Sequence, residues 1–236
     1  MNRPRRLDRW DVSPSEAIAI QRELSSKVEI SELCGPARYI AGLDAAFTPD
    51  EKWCVAALVL WDLRDRTVVE QRVARSRCTF PYIPGLLSFR EAPALLAALK
   101  KLKTQPDVLI CDGQGLAHPR RFGIACHVGL LAGLPSIGCA KSILVGKHCE
   151  LKPARGSKVP LEDRGERIGT VLRTRDGVNP VYVSVGHRID LPGAEKIVLQ
   201  CAIRYRLPEP ARLADQLSKI ARKGLPRSPA VANQRV

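Results

Sequence analysis

A chain of 236 residues that is 45% hydrophobic and 26% charged has the composition of an ordinary folded protein, which excludes collagen-like and intrinsically disordered architectures. With 38 Lys and Arg against 24 Asp and Glu, the formal charge is +14. That balance suits a phosphate-rich partner, although solubility or an anionic membrane surface would account for it too, and 5% aromatic residues argue against a broad base-stacking surface.

The opening MNRPRRLDRW lacks the apolar core of a secretory signal. Ser13-Pro14-Ser15-Glu16 places Ser at an N-cap, Pro at the first helical position and Glu three residues after the cap, which predicts a helix to about residue 27. The period then changes. Segments 38–47, 53–61 and 67–78 are rich in β-branched and aromatic residues and are separated by TPDEK and DLRDR, so three sequential antiparallel strands are predicted. The longest apolar stretch, 54–61, is far short of the ~18 residues of a spanning helix, so no membrane partner and a cytosolic location are expected. After 81–84 come a helix over 88–103, ending in lysines, and a continuously apolar strand over 106–112 of the buried parallel kind. The second half predicts a helix over 123–132, a strand over 135–140, a charged loop over 147–167, strands near 168–174 and 180–185, and helices near 193–205 and 209–222. No internal repeat is present. The alternation describes one α/β domain over 1–222 with helices on the faces of a mixed sheet. From 223 on the polar, basic RKGLPRSPAVANQRV is expected to be disordered, serving as a phosphate-binding arm or for solubility.

The 8 cysteines form no C-x-x-C pair, and most sit inside apolar runs, where a reduced thiol acts as a small core residue. Carboxylates carry more information. Asp44 interrupts the apolar IAGLDAAF, and Asp112 ends PDVLICD just before Gly113-Gln114-Gly115. A lone buried carboxylate is costly, so each must meet a cation, a metal or solvent. The carboxyl ends of strands in open α/β sheets are where ligands bind, although strand-end turns use aspartate too. Glu91 falls in the first turn of a helix, where Ser88-x-x-Glu91 also fits a capping box. Asp215 lies in an amphipathic helix, where a surface role is the ordinary one. Four such groups converging at one sheet end would hold divalent cations through hard oxygen ligands, the arrangement that hydrolyses phosphodiesters.

The blocks IAGLDAAF (40–47), FPYIPGLLSFREAPALLAAL (80–99), ICDGQGLAHPRRFGIACHVGLLAGLPSIGCAKSIL (110–144), NPVYVSVGHRIDL (179–191) and YRLPEPARLAD (205–215) resemble the endonuclease V family of deoxyinosine-directed DNA repair endonucleases, which have a ribonuclease H-like fold. The resemblance implies that Asp44, Glu91 and Asp112 bind catalytic Mg2+, with Mn2+ able to substitute. Asp215 stands at a position that is aspartate in some members and histidine in others. Lys141 matches the family's active-site lysine, which contacts the scissile phosphate or orients the attacking water.

The segment Pro81-Tyr82-Ile83-Pro84 is stiff, because each proline fixes its own φ and restricts its predecessor. It resembles the family's strand-separating wedge, with Tyr82 filling the gap left by a nucleotide turned out of the helix; a rigid connector packed on the core is the plainer reading. Gly85, Leu87, Gly113, Gly123, Ile124 and Gly138 match positions lining the family's hypoxanthine pocket. His118 reads as a phosphate or active-site contact or as a loop residue capping the next helix. For His127 a hydrogen-bonded, partly buried position is expected, and for His187 the resemblance implies a place near the substrate. The implied activity is hydrolysis of the second phosphodiester bond 3′ of deoxyinosine in DNA, leaving 3′-hydroxyl and 5′-phosphate ends. An inosine-directed endoribonuclease and a binding relative without catalysis are the alternatives, and no obligatory protein partner is evident. Because Cys111 directly precedes Asp112, its oxidation is expected to impair activity.

Overall fold

The computed structural model describes residues 9–224, so the expected disordered tail lies, from 225 on, outside the described residues, as do residues 1–8. Helix α1 (Pro14–Ser25) begins at the predicted capping box, with both reciprocal bonds between Ser13 and Glu16 formed. Strands β1 (Tyr39–Phe47), β2 (Trp53–Asp62) and β3 (Thr67–Arg77) form the expected antiparallel run. Helix α2 (Leu87–Leu99), strand β4 (Val108–Cys111), helix α3 (Ile124–Ala132) and strand β5 (Ser136–Ala140) follow. The chain continues through β6 (Lys158–Asp163), β7 (Glu166–Leu172), β8 (Val181–His187), α4 (Leu191–Cys201) and α5 (Glu209–Lys223).

These strands make one 8-stranded mixed sheet in the order β3-β2-β1-β4-β5-β8-β7-β6. β4 runs parallel to both β1 and β5, and the remaining pairs are antiparallel. With helices on both faces this is the expected ribonuclease H-like α/β architecture. One face packs Ala41, Leu43, Leu109 and Cys111 against α2 and α3, and the other packs Ile40, Val108, Ile110 and Ile137 against α4 and Ala211 of α5. Among the described residues no helix is long and apolar enough to cross a membrane.

Three expectations need correction. The charged stretch 147–167 contains strand β6, in which Leu161 is the one fully buried residue. With charges around that single anchor and Pro160 within it, this edge strand carries little apolar alternation. The Ser88–Glu91 capping box is not formed, because α2 starts one residue earlier, at Leu87 after Leu86. Ser88 is therefore inside the helix, with its hydroxyl 3.0 Å from His127 Nδ1. Helices α2 and α4 also end sooner than predicted. Glu70 accepts the Lys103 and Thr104 amides just past α2, and Arg155 donates to the Leu199 and Ala202 carbonyls at the end of α4; both draw the chain out of helical geometry.

Candidate active site

Side-chain alternation puts Asp44 and Asp112 on the same face. In β1, Ile40 belongs to the face covered by α4 and α5, so Gly42 and Asp44 follow it at intervals of two; Val108, Ile110 and Asp112 do the same along β4. Leu43 pairs with Cys111, and the Asp112 amide donates to the Leu43 carbonyl at 3.1 Å. The two aspartates thus stand side by side just past the last pair of the parallel β1–β4 ladder, Asp44 within β1 and Asp112 at the carboxyl end of β4, the region where such sheets bind ligands.

Helix α5 adds the third carboxylate, and Gly42 lets it approach. A Cβ at Gly42 would lie 2.1 Å from the Pro210 backbone carbon, so only glycine admits the start of α5 here. Two turns on, the Ser218 hydroxyl donates to Asp44 Oδ2 at 2.6 Å. Asp215, one turn before Ser218, joins Asp44 and Asp112, and one oxygen from each of the three lies within 4.8 Å of the others. The surface reading of Asp215 is thereby replaced by a place in the tightest acidic group. Glu91 approaches from α2, close enough to Asp44 and Asp112 to repel them, but does not belong to that innermost trio.

Electrostatics mark the cluster as short of positive charge. Burial, opposed by the Ser218 hydrogen bond and reinforced by the charges of Asp112 and Asp215, pushes the Asp44 carboxyl up to about 7. Glu91 is pushed well above the ordinary glutamate value by burial and by repulsion from Asp44 and Asp112. For Asp215, burial is outweighed by hydrogen bonds from Lys219 and Lys141, which hold its pKa below the usual range. Lys141, just past β5, donates to Asp112 and, at 3.2 Å, to Asp215. Its ammonium is held charged by them despite the opposing effect of burial. Hard oxygen donors gathered around an ammonium, with two acids driven toward their neutral forms, form a donor set that fits a divalent cation such as Mg2+.

A cavity of about 340 Å3 opens beside these groups. Asp112 and Lys141 form one wall, and Tyr82, Ile83, Pro84, Gly85, Leu87, Gly113, His118, Gly123 and Ile124 contribute others. The stiff 81–84 segment thus borders the cavity, and Tyr82 is 68% exposed at its mouth. Pro81 is exposed but does not line it. Gly138 is a correction: it is buried in β5 and faces the 113–115 loop, where a Cβ would lie 2.3 Å from the Gly115 nitrogen. It shapes the pocket only by letting that loop lie flat on the sheet.

His118 lines the cavity, as an active-site contact does, and does not cap the next helix, whose N-cap is Gly123. It is 2% exposed, its Nδ1 accepts from the Arg120 amide at 3.2 Å and its Nε2 lies 2.9 Å from the Gly85 carbonyl. Acceptance at Nδ1 makes Nε2–H the donor in the neutral ring. Burial, aided by repulsion from Arg120 and Arg121, lowers its pKa to about 4. The Gly85 carbonyl receives two further donors, Arg120 at 2.7 Å and Gln21 at 3.0 Å. Gln21 also donates to the Phe122 carbonyl and accepts from Arg120. Sequence reasoning missed Gln21: its only signal is a polar residue on the buried face of α1. His127 is fully buried among Trp10, Phe89 and Phe122, beyond the partial burial expected. His187 pairs with Ser136 at the start of β5, the sheet end opposite Lys141, and accepts from the Glu29 amide; it is not near the cavity. The setting of Cys111 argues against the expected sensitivity to oxidation. The residue is 1% exposed and its thiol is pushed up by burial, which disfavours both access and the thiolate that oxidation attacks.

The sequence model described as Endonuclease V matches residues 22–216. The endonuclease V of Trichormus variabilis is 52% identical over 210 residues, covering 89% of this chain and 95% of that protein. The Streptomyces avermitilis endonuclease V structure superimposes with a TM-score of 0.87 at 43% identity, over 91% of this chain and 95% of that one. That of the Ciona intestinalis endonuclease V, in complex with a 24mer DNA containing an inosine followed by a ribo-adenosine, gives 0.77 at 26% identity over 89% and 97%.

Proposed function

This chain belongs to the endonuclease V family and is a nuclease, and from that premise we propose that it is a Mg2+-dependent DNA repair endonuclease that recognises deoxyinosine. It hydrolyses the second phosphodiester bond 3′ of the lesion and leaves 3′-hydroxyl and 5′-phosphate ends, acting in the cytosol. The observation that carries this reading is the cavity bordered by both a stiff aromatic loop and the acidic cluster, so that a flipped base and a phosphate fit side by side.

Asp44, Glu91 and Asp112 hold the ion, with Asp215 completing the acidic rim. A divalent ion bound there supplies water activation and charge neutralisation at the phosphate. Ser218 fixes the orientation of Asp44 through its 2.6 Å bond. The Lys141 ammonium, already facing the carboxylates, donates to a phosphate oxygen or holds the attacking water. Tyr82 fills the gap left in the duplex, while the backbone at Gly85, Gly113 and Gly123 meets the edge of the flipped base between Leu87 and Ile124. Hypoxanthine lacks the exocyclic amine of guanine, so a tight backbone-lined pocket rejects guanine sterically and by leaving that amine unpaired.

An inosine-directed ribonuclease is the second reading, favoured by the ribo-adenosine that follows inosine in the Ciona intestinalis complex. Matched end-labelled oligonucleotides, DNA with one deoxyinosine and RNA with one inosine, separate the two in Mg2+ and in EDTA. A Mg2+-dependent nick one nucleotide beyond the lesion in DNA is expected. RNA-only cleavage would select the ribonuclease, and binding without a cut in either would overturn the catalytic assignment.

A further inference from the structure

Contacts leading away from the cavity continue past the carboxylates. Asp112 and Lys141 line the cavity, Lys141 reaches Asp215, and Arg212 lies three residues before Asp215, on the same side of α5. The Arg212 guanidinium sits 4.4 Å from the centroid of the Tyr205 ring. It is itself held by bonds of 2.6 and 2.9 Å to the buried Glu209. Next to Tyr205, Arg206 donates at 2.6 Å to the Lys141 carbonyl and at 2.7 Å to the Pro180 carbonyl. The 202–208 segment is therefore tied to the strand end that presents the active-site lysine.

With its ring backed in this way, Tyr205 is still 48% exposed. Among the described residues, Tyr82 and Tyr205 are the two exposed tyrosines, one at the cavity mouth and the other beyond Asp215. A fixed aromatic ring with a guanidinium behind it and open surface around it is what a nucleobase stacks on regardless of sequence. Arg204, also exposed, adds positive charge for the adjoining backbone.

We propose that Tyr205, backed by Arg212, is the stacking platform for the nucleobase immediately 3′ of the scissile phosphate. The assignment rests on the reading above, in which the lesion occupies the cavity and the nick falls one nucleotide beyond it. A strand leaving the cavity then spends one nucleotide reaching the carboxylates, and the base after the nick is the first to arrive on their far side. Tyr82 and Tyr205 hold the strand at two points on either side of the metal cluster, which fixes the spacing between lesion and cut.

Binding by the full chain is measured by fluorescence anisotropy on deoxyinosine DNA, intact or abasic at that one position. For the wild type, removing the base should weaken binding roughly 5- to 100-fold. Tyr205→Ala should show that same loss on intact DNA and little further loss on abasic DNA, while Tyr205→Phe should match the wild type. An equal loss for Tyr205→Ala on both DNAs, or a Phe variant as weak as the Ala variant, would overturn the platform. The same oligonucleotides incubated with Mg2+ keep the two ideas apart. Coupling in binding without a nick breaks the proposed function and leaves the platform standing; a nick without coupling breaks the platform alone.

Discussion

Strand β1 has acidic groups at both ends, and the two ends are built on opposite principles. At its start, Asp62 receives the Arg38 guanidinium at 2.8 Å and the amides of Arg64 and Asp65 at 2.9 and 3.1 Å. Asp107 accepts the Arg38 and Tyr39 amides, both at 2.8 Å. The Arg38 hydrogen bond and those amides hold the Asp62 carboxyl below the usual range, against the effect of burial. At the other end Asp44 receives one hydroxyl, from Ser218, and faces Asp112, Asp215 and Glu91, with the Lys141 ammonium as the opposing charge. One cluster has its donors supplied by the fold. The other sets only the Lys141 and Lys219 ammoniums and the Ser218 hydroxyl against four acids, two of which are driven toward their neutral forms, which leaves room for a further cation to add stability. It is the balance of donors, more than the number of acids, that separates a structural cluster from a functional one.

Substitution at the two ends should therefore give opposite results. Asp44→Asn or Asp112→Asn is expected to lower cleavage of deoxyinosine DNA roughly 10³-fold or more, with Tm unchanged or raised in Asp44→Asn, where a like charge is removed from a carboxyl that no cation pairs. Asp62→Asn should lower Tm by several degrees and leave the rate per folded molecule intact. Single-turnover cleavage beside thermal melts reads both, and an active Asp44→Asn enzyme would break the contrast. Replacing Lys141 by Met should reduce the chemical step on the order of 10²-fold with a smaller change in KM. A loss confined to KM would make Lys141 a binding residue only. Tyr82→Ala should cut the preference for inosine over undamaged DNA about 10-fold, more than it slows the chemistry; unchanged selectivity would reject the wedge.

The smallest effect concerns the donors on the Gly85 carbonyl. His118 has its pKa lowered to about 4 by burial, while in the unfolded chain it titrates near ~6.5. Between those values the unfolded state binds more protons than the folded state, so stability should fall as pH drops from about 6.5 toward 4. In His118→Gln, melts over that range should show a shallower acid slope. A slope identical to the wild type would place the lost stability elsewhere.

Much of this was legible in the chain. Capping chemistry at Ser13, the β-branched and aromatic content of 38–78 and the apolar run before Asp112 disclosed the elements directly, and with them the placement of Asp44 within the first strand and of Asp112 at the end of a later one. Asp215 was harder to read, because an acid on an amphipathic helix looks solvated until Gly42 is seen to admit α5 against β1. Ser88 and Glu91 suggested a local cap, but the helix begins one residue earlier, Ser88 meets His127, and Glu91 is buried against Asp44 and Asp112. Strand β6 was hidden by its single buried residue, and Gln21 by having partners, at Gly85, Arg120 and Phe122, that are remote in sequence.

The most direct test is Mg2+-dependent stabilisation at the two ends of β1, read as the Tm rise when Mg2+ is added to EDTA-treated protein. Binding to the folded state alone must raise Tm. A rise in the wild type and in Asp62→Asn that disappears in both Asp44→Asn and Asp112→Asn is the predicted result. A rise that survives in the Asp44 and Asp112 variants, or that is lost in Asp62→Asn alone, would contradict the assignment of the donor-poor end as the metal centre.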